Sequence, residues 1–167
     1  MSNISRRLCF LSAVAMTLLA GFGCYKTTGG GWFYDSLTGA KITFGLTAQP
    51  VGDPYDCDVA VCTQDAKGNL QLVDHSTVPP QQIKGNFEGT VYVSDPFNVP
   101  IEAAFTGECS MKGVGEGCYL GVLATDLGEP GAGPGDLVTV YCACGDGYLY
   151  SGNLRGGNIQ VHFGEEL

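Results

Sequence analysis

The 167-residue sequence predicts an all-β domain: a single antiparallel β-sandwich or closed barrel of about nine or ten short strands, stapled by disulfides. Three observations predict it. No apolar run beyond residue 23 keeps a helical period. Short alternating segments recur instead between clusters of Gly, Pro, Asn and Asp, the pattern of strands joined by turns. And an even set of six cysteines, Cys57, Cys62, Cys109, Cys118, Cys142 and Cys144, is spread across those segments.

The N-terminus carries a different kind of information. Arg6 and Arg7 precede the 15-residue apolar run Leu8–Phe22, and small residues (Gly21, Gly23) stand where a signal peptidase would cut. The run is short for a permanent span, which takes about 20 apolar residues. Residues 1–23 are therefore expected to be a signal peptide. Cys24 directly after Gly23 resembles the lipobox of bacterial lipoproteins, in which that cysteine becomes the first mature residue and carries acyl chains. Gly21 stands where that family has leucine, and ordinary cleavage near Ala20 or Gly23 is the alternative. Lipidation at Cys24 also accounts for the parity, since it leaves six cysteines to pair. Residues 24–31 then read as a lipid-anchored tether and 32–167 as the extracellular or periplasmic all-β domain.

Charge narrows the partners. Removing Arg6 and Arg7 from the eight basic residues leaves six against all 17 acidic ones, a formal charge of −11. Such a chain repels phosphate backbones and anionic head groups alike, so nucleic acid is excluded and contact with a lipid membrane is expected through the Cys24 acyl anchor alone.

The strands are expected in this order. Trp32–Tyr34 opens the domain after the glycine-rich tether. Ala40–Ala48 alternates most clearly, with Ile42, Phe44 and Leu46 on one face and Lys41, Thr43 and Thr47 on the other. Pro50–Pro54 reads as a loop, Tyr55–Gln64 as a strand carrying the first cysteine pair, and residues 65–69 (DAKGN) as a turn into Leu70–His75. Val78–Pro80 breaks the chain. Gln82–Ser94 is a long strand with a natural bulge at Gly85 or Gly89, and Pro100–Glu108 points Ile101, Ala103 and Phe105 inward. Cys118–Asp126 and Leu137–Cys144 form the arms of a hairpin, which brings Cys118 close to Cys144 when folded symmetrically. Gly147–Asn153 and Asn158–Phe163 complete the sheet.

Pairing among the six cysteines stays open beyond that bridge. Cys57 with Cys62 and Cys109 with Cys118 each bracket a short loop, whereas Cys142 and Cys144, two apart, would each bridge elsewhere. A metal-thiolate site is the rival use of these thiols, although zinc sites more often use C-x2-C spacing.

Candidate chemistry is sparse. Asp126, Glu129 and Asp136 put three carboxylates in one Gly/Pro loop, a possible calcium site lacking the D-x-D-x-D-G spacing; no other cofactor is implied. Asp74, His75 and His162 would make a polar or acid–base cluster if their strands were neighbours; otherwise they are hydrogen-bonding groups at strand ends. Tyr141, Tyr148 and Tyr150 could form a stacking face for sugars, or ordinary cross-strand packing. There is no G-x-S-x-G elbow, H-E-x-x-H helix or phosphate loop.

Several islands in order resemble the post-choice-of-anchor domain of bacterial secreted and surface proteins: GGGWF (29–33), KITFG (41–45), Asp74-His75, DLGEPG (126–131), Gly135-Asp136 and GGNIQVH (156–162). The resemblance implies an extracellular all-β domain of uncharacterised role. The six cysteines and a longer loop before Gly135 depart from it. The sequence thus leads to the expectation of an exported bacterial lipoprotein, outer-membrane-anchored or else periplasmic or secreted. Its β domain would be a non-enzymatic envelope module for a polysaccharide or protein partner. The alternatives are a secreted hydrolase and a calcium-dependent carbohydrate-binding module.

Overall fold

The computed structural model describes residues 26–57, 61–94, 100–128 and 135–162. Residues 1–23, expected to be a signal peptide, Cys24 and Glu129 lie outside the described residues. Eight strands run β1 (Lys26–Tyr34), β2 (Lys41–Cys57), β3 (Val61–Asp74), β4 (Gln81–Ser94), β5 (Pro100–Met111), β6 (Gly115–Thr125), β7 (Leu137–Cys142) and β8 (Tyr148–His162). Each is antiparallel to the next, and β8 returns to β1 through Lys26↔His162 to Phe33↔Leu154, closing the barrel. The two architectures left open by the sequence resolve to the closed one. Closure gives each strand a neighbour on both sides, except along the part of β8 that outruns the shorter β7.

Alternation places the core inside. Ile42, Phe44, Leu46 and Ala48 of β2 are buried, as are Leu70, Leu72, Ala103, Phe105, Leu120, Val122, Val138, Val140, Ile159 and Val161 of the other strands. Eight strands leave an interior about wide enough for side chains to fill. The outward residues Lys41, Thr47, Gln49, Lys67, Asn69, Gln71, Lys84, Asn86, Glu88 and Glu108 are exposed. A barrel that crosses a bilayer shows lipid an apolar outer band, so this pattern is the reverse of a membrane-spanning wall. Two buried hydroxyls inside, Thr27 Oγ1 and Thr90 Oγ1, have no hydrogen-bond partner, and nothing in the structure explains them.

Six expectations about the strands need correction among the described residues. The count is eight rather than nine or ten. The proposed tether is strand from Lys26 onward: its glycines pair with β2 (Gly30↔Gly45) on one side and β8 (Gly31↔Gly157) on the other. Pro50–Pro54 stays in β2, with the register shift between Val51 and Asp56 absorbing the irregular residues. The segment Tyr55–Gln64 divides between the end of β2 and the start of β3, and DAKGN continues β3 with a bulge against β4 between Asp65 and Gly68. Tyr148–His162 form one strand rather than two, because the glycines at 156 and 157 continue β8 beside β1. The bulge in β4 is where a glycine was expected to put it, between Phe87 and Gly89.

Candidate functional site

Strand direction divides the barrel into two ends. One carries the β1–β2, β3–β4, β5–β6 and β7–β8 connections; the other carries the β6–β7 connection and His162. Each candidate residue can be placed against that frame.

The β6–β7 connection lies along the barrel seam. β7 has six residues and β8 fifteen, and β7 pairs with β8 only as far as Leu137↔Asn153. Beyond Asn153, the edge of β8 facing β7 has no strand to receive its N–H groups, and buried donors need acceptors. The loop supplies them. Asp136 is buried; its Oδ2 accepts from Ile159 N (2.6 Å) and its Oδ1 from Leu127 N (3.0 Å). Asp126 Oδ2 accepts from Val161 N (3.1 Å) and its Oδ1 from Gly128 N (2.9 Å). The Asp136 carbonyl takes Leu154 N (2.8 Å), and Asn153 Nδ2 donates to Gly135 O (2.9 Å). All four carboxylate oxygens thus receive a backbone N–H: the two Oδ2 atoms take Ile159 N and Val161 N of β8 and stand in for the missing strand, while the two Oδ1 atoms take Leu127 N and Gly128 N of the connection itself.

Asp74, His75 and His162 do not come together. His75 is exposed beside β2, its Nε2 3.0 Å from Thr43 Oγ1, whereas His162 is exposed at the opposite end, in register with Lys26. Asp74 turns inward: it accepts from Ser76 N (2.7 Å) and from the Tyr150 hydroxyl (3.3 Å). Burial, then the neighbouring Asp74 carboxylate that the hydroxyl bonds, push the Tyr150 phenol above its ordinary range. The pair is a neutral-donor latch inside the barrel.

A residue the sequence reading missed has the same kind of role. Asp35 is buried in the β1–β2 turn; its Oδ2 accepts from Thr38 N (2.9 Å) and Thr38 Oγ1 (2.7 Å), and its Oδ1 from Ser151 N of β8 (3.0 Å). The D-x-x-T-G spacing ending in Gly39 (φ 70°) was the available signal, since Asp organises such turns and glycine takes positive φ. Burial raises the Asp35 pKa, but the hydrogen bonds from Thr38, Ser151 and Leu37 outweigh it and hold the carboxyl below its ordinary range. A depressed folded-state pKa contributes stability above the unfolded value, lost as pH falls through the folded one. The stability gap between wild type and Asp35→Asn in urea unfolding is expected to be widest near pH 7 and to shrink below about pH 4. A gap constant from neutral to acid pH would remove the charge from this account.

The expected tyrosine face is rearranged. Tyr148 and Tyr150 lie in register with Cys142 and Val140 and turn toward the core, whereas Tyr141 turns out. Its outward companions are Tyr119 of β6 and Leu149 of β8, 54% and 47% exposed beside 42% for Tyr141. The two tyrosine rings are 6.5 Å apart, tilted by 53°. Gly121 stands opposite Tyr141, and Gly147 approaches its hydroxyl, so small residues border the rings.

The last cluster is sulfur. Cys118 bonds Cys144, as the hairpin fold predicts, while Cys109 bonds Cys142. Cys109 and Cys118 are register partners across β5–β6 yet are not bonded to each other, correcting the loop-closing alternative. Cys57 and Cys62 are opposite each other at the end of β2–β3, but their side chains lie outside the described residues. Beside the sulfur cluster an open depression of about 430 Å³ is lined by Gln82, Lys84, Ser110, Lys112, Gly115 and Glu116 among others. Among its lining residues there is one carboxylate and no histidine. No family model, curated protein or solved structure matches the chain.

Proposed function

We propose that this chain is an exported bacterial lipoprotein, held to a membrane by acyl chains on Cys24. Its barrel is a non-enzymatic binding module of the cell envelope that presents an outer aromatic face to a polysaccharide. The observation carrying the reading is the Tyr119–Tyr141–Leu149 patch, contiguous across three neighbouring strands of the outer wall. Exposed apolar patches of this kind mark contact surfaces. Tyrosine suits a sugar, since a ring face stacks on sugar C–H groups while the hydroxyl stays wet. Two further features support binding over hydrolysis. Apolar side chains occupy the interior, and the buried carboxylates Asp35, Asp74 and Asp136 are each engaged by protein hydrogen-bond donors.

Affinity electrophoresis through gels containing purified envelope polysaccharides tests the face. The wild-type protein is expected to be retarded, and Tyr119→Ala/Tyr141→Ala to lose about tenfold or more in affinity with unchanged thermal unfolding. No retardation of the wild type, or equal retardation of the variant, would sink the proposal. Intact mass from a detergent-solubilised membrane fraction tests the anchor separately: acylated chains should begin at Cys24.

A further inference from the structure

We propose that the four cysteines at the β5–β6 end form a two-step thiol–disulfide exchange site, with a small solvent thiol as the external partner and Cys118 as the point of attack. Three observations combine. The two bridges differ in access: Cys109, Cys142 and Cys144 are 2%, 0% and 1% exposed, whereas Cys118 is only partly buried. The sulfurs are close enough to exchange, since Sγ of Cys109, Cys142 and Cys144 all lie within 4.8 Å of one another. Thus the buried sulfur of the outer bridge neighbours both sulfurs of the inner one. The outer bridge also borders the open depression. Gly115 lines that depression, and a Cβ placed on it would lie 3.3 Å from Cys118 Sγ and 3.6 Å from Cys144 Sγ.

The chemistry follows from which sulfur can be reached. A thiolate attacks Cys118 Sγ, forming a mixed disulfide there and expelling Cys144 as thiolate. That thiolate, held against the inner bridge, attacks Cys109 Sγ and expels Cys142. Attack on Cys142 instead would bond cysteines two apart in the chain, a strained product. The Cys142 thiolate takes the proton that the external thiol lost. Two disulfides and one thiol become two different disulfides and one thiol: Cys118 is bonded to the partner, Cys109 to Cys144, and Cys142 is reduced. No net electron is gained or lost at this stage. A second external thiol that resolves the Cys118 adduct completes a two-electron reduction of the protein. The inner bridge, closed to solvent, is in this way opened through the outer one.

Glutathione is a suitable probe. The folded wild-type protein is exposed to it under native conditions, quenched in acid, alkylated and mapped by peptide mass spectrometry. The expected product carries glutathione on Cys118, a Cys109–Cys144 linkage and an alkylated Cys142. Glutathione on Cys118 with alkylation at Cys144 and Cys109–Cys142 intact would overturn the transfer step. Glutathione entering first at Cys109 or Cys142 would overturn the assignment of Cys118. In Cys118→Ser/Cys144→Ser, the inner bridge should open at least about tenfold more slowly at the same glutathione concentration, having lost its internal nucleophile. Opening at the wild-type rate would also overturn the proposal, and because the wild-type map needs no variant, misfolding of that double variant leaves it testable.

Discussion

Replacing Asp136 with alanine is expected to destabilise the barrel by about 2–4 kcal/mol, because the buried Ile159 N–H and the part-buried Leu127 N–H lose a charged acceptor at once. Ile159 N and Leu127 N both donate to this carboxylate, and Ile159 is itself fully buried. Water has little room to replace the acceptor at Ile159, so the desolvation cost of that donor stays, whereas the N–H of half-exposed Leu127 can turn to solvent. Asp136→Asn separates charge and geometry from side-chain volume. Its carbonyl can serve one donor, but its amide then faces the other N–H, so it should recover less than half of the loss. Urea unfolding of the three proteins measures both effects. Hydrogen exchange locates them: the amides of Ile159 and Leu127 should lose protection first, because they lie on the seam where β7 has ended. An Asp136→Ala protein within about 1 kcal/mol of wild type would show that the loop is not the strand substitute described above.

That seam marks a boundary of what residue order reveals. The cluster Asp126, Glu129 and Asp136 was conspicuous in the sequence as carboxylates on a glycine- and proline-rich loop, and calcium was a natural reading. The structural use of Asp126 and Asp136 depends on the mismatch between a six-residue β7 and a fifteen-residue β8, which is a pairing property. Alternation in Ala40–Ala48 was legible because a half-buried strand writes its two faces directly into the residue order, and the Cys118–Cys144 bridge because a hairpin folds locally. Cys109–Cys142 was not legible. It skips β6 and joins strands that are not neighbours, an approach made by the curvature of a closed wall, with Cα atoms 6.3 Å apart. The histidines failed for the converse reason. Each sits at a strand end as read, but the up-and-down order sends those ends to opposite mouths of the barrel. Of the three tyrosines read as a face, only Tyr141 turns outward, and its ring neighbour Tyr119 comes from the strand on the other side, a matter of register that periodicity alone does not give.

Glycines gave the most misleading signal, and one of them supports the other large effect. Gly157→Ala is expected to cost about 3–5 kcal/mol, combining backbone strain with overlap against the facing strand. Gly157 has φ of 101°, where a side chain is strained, and a Cβ there would lie 2.0 Å from Gly30 O. Its register partner is Gly31, so the two strands meet glycine to glycine, and the Trp32 indole covers the neighbouring Gly156. The run that reads as a flexible spacer is therefore a place of close backbone approach where β1 and β8 close the barrel. Gly45→Ala is the matched control: it lies one strand away, opposite Gly30, with nothing within 4 Å of a built Cβ and an ordinary φ. That substitution should be neutral or stabilising by up to about 1 kcal/mol, since glycine inside a strand carries an entropic cost. Thermal unfolding of the pair is decisive. A drop of roughly 10–20 °C for Gly157→Ala beside no loss for Gly45→Ala is the expected result. Equal behaviour of the two variants would mean that the β1–β8 seam tolerates a side chain, and that glycines 29–31 serve some purpose other than close approach.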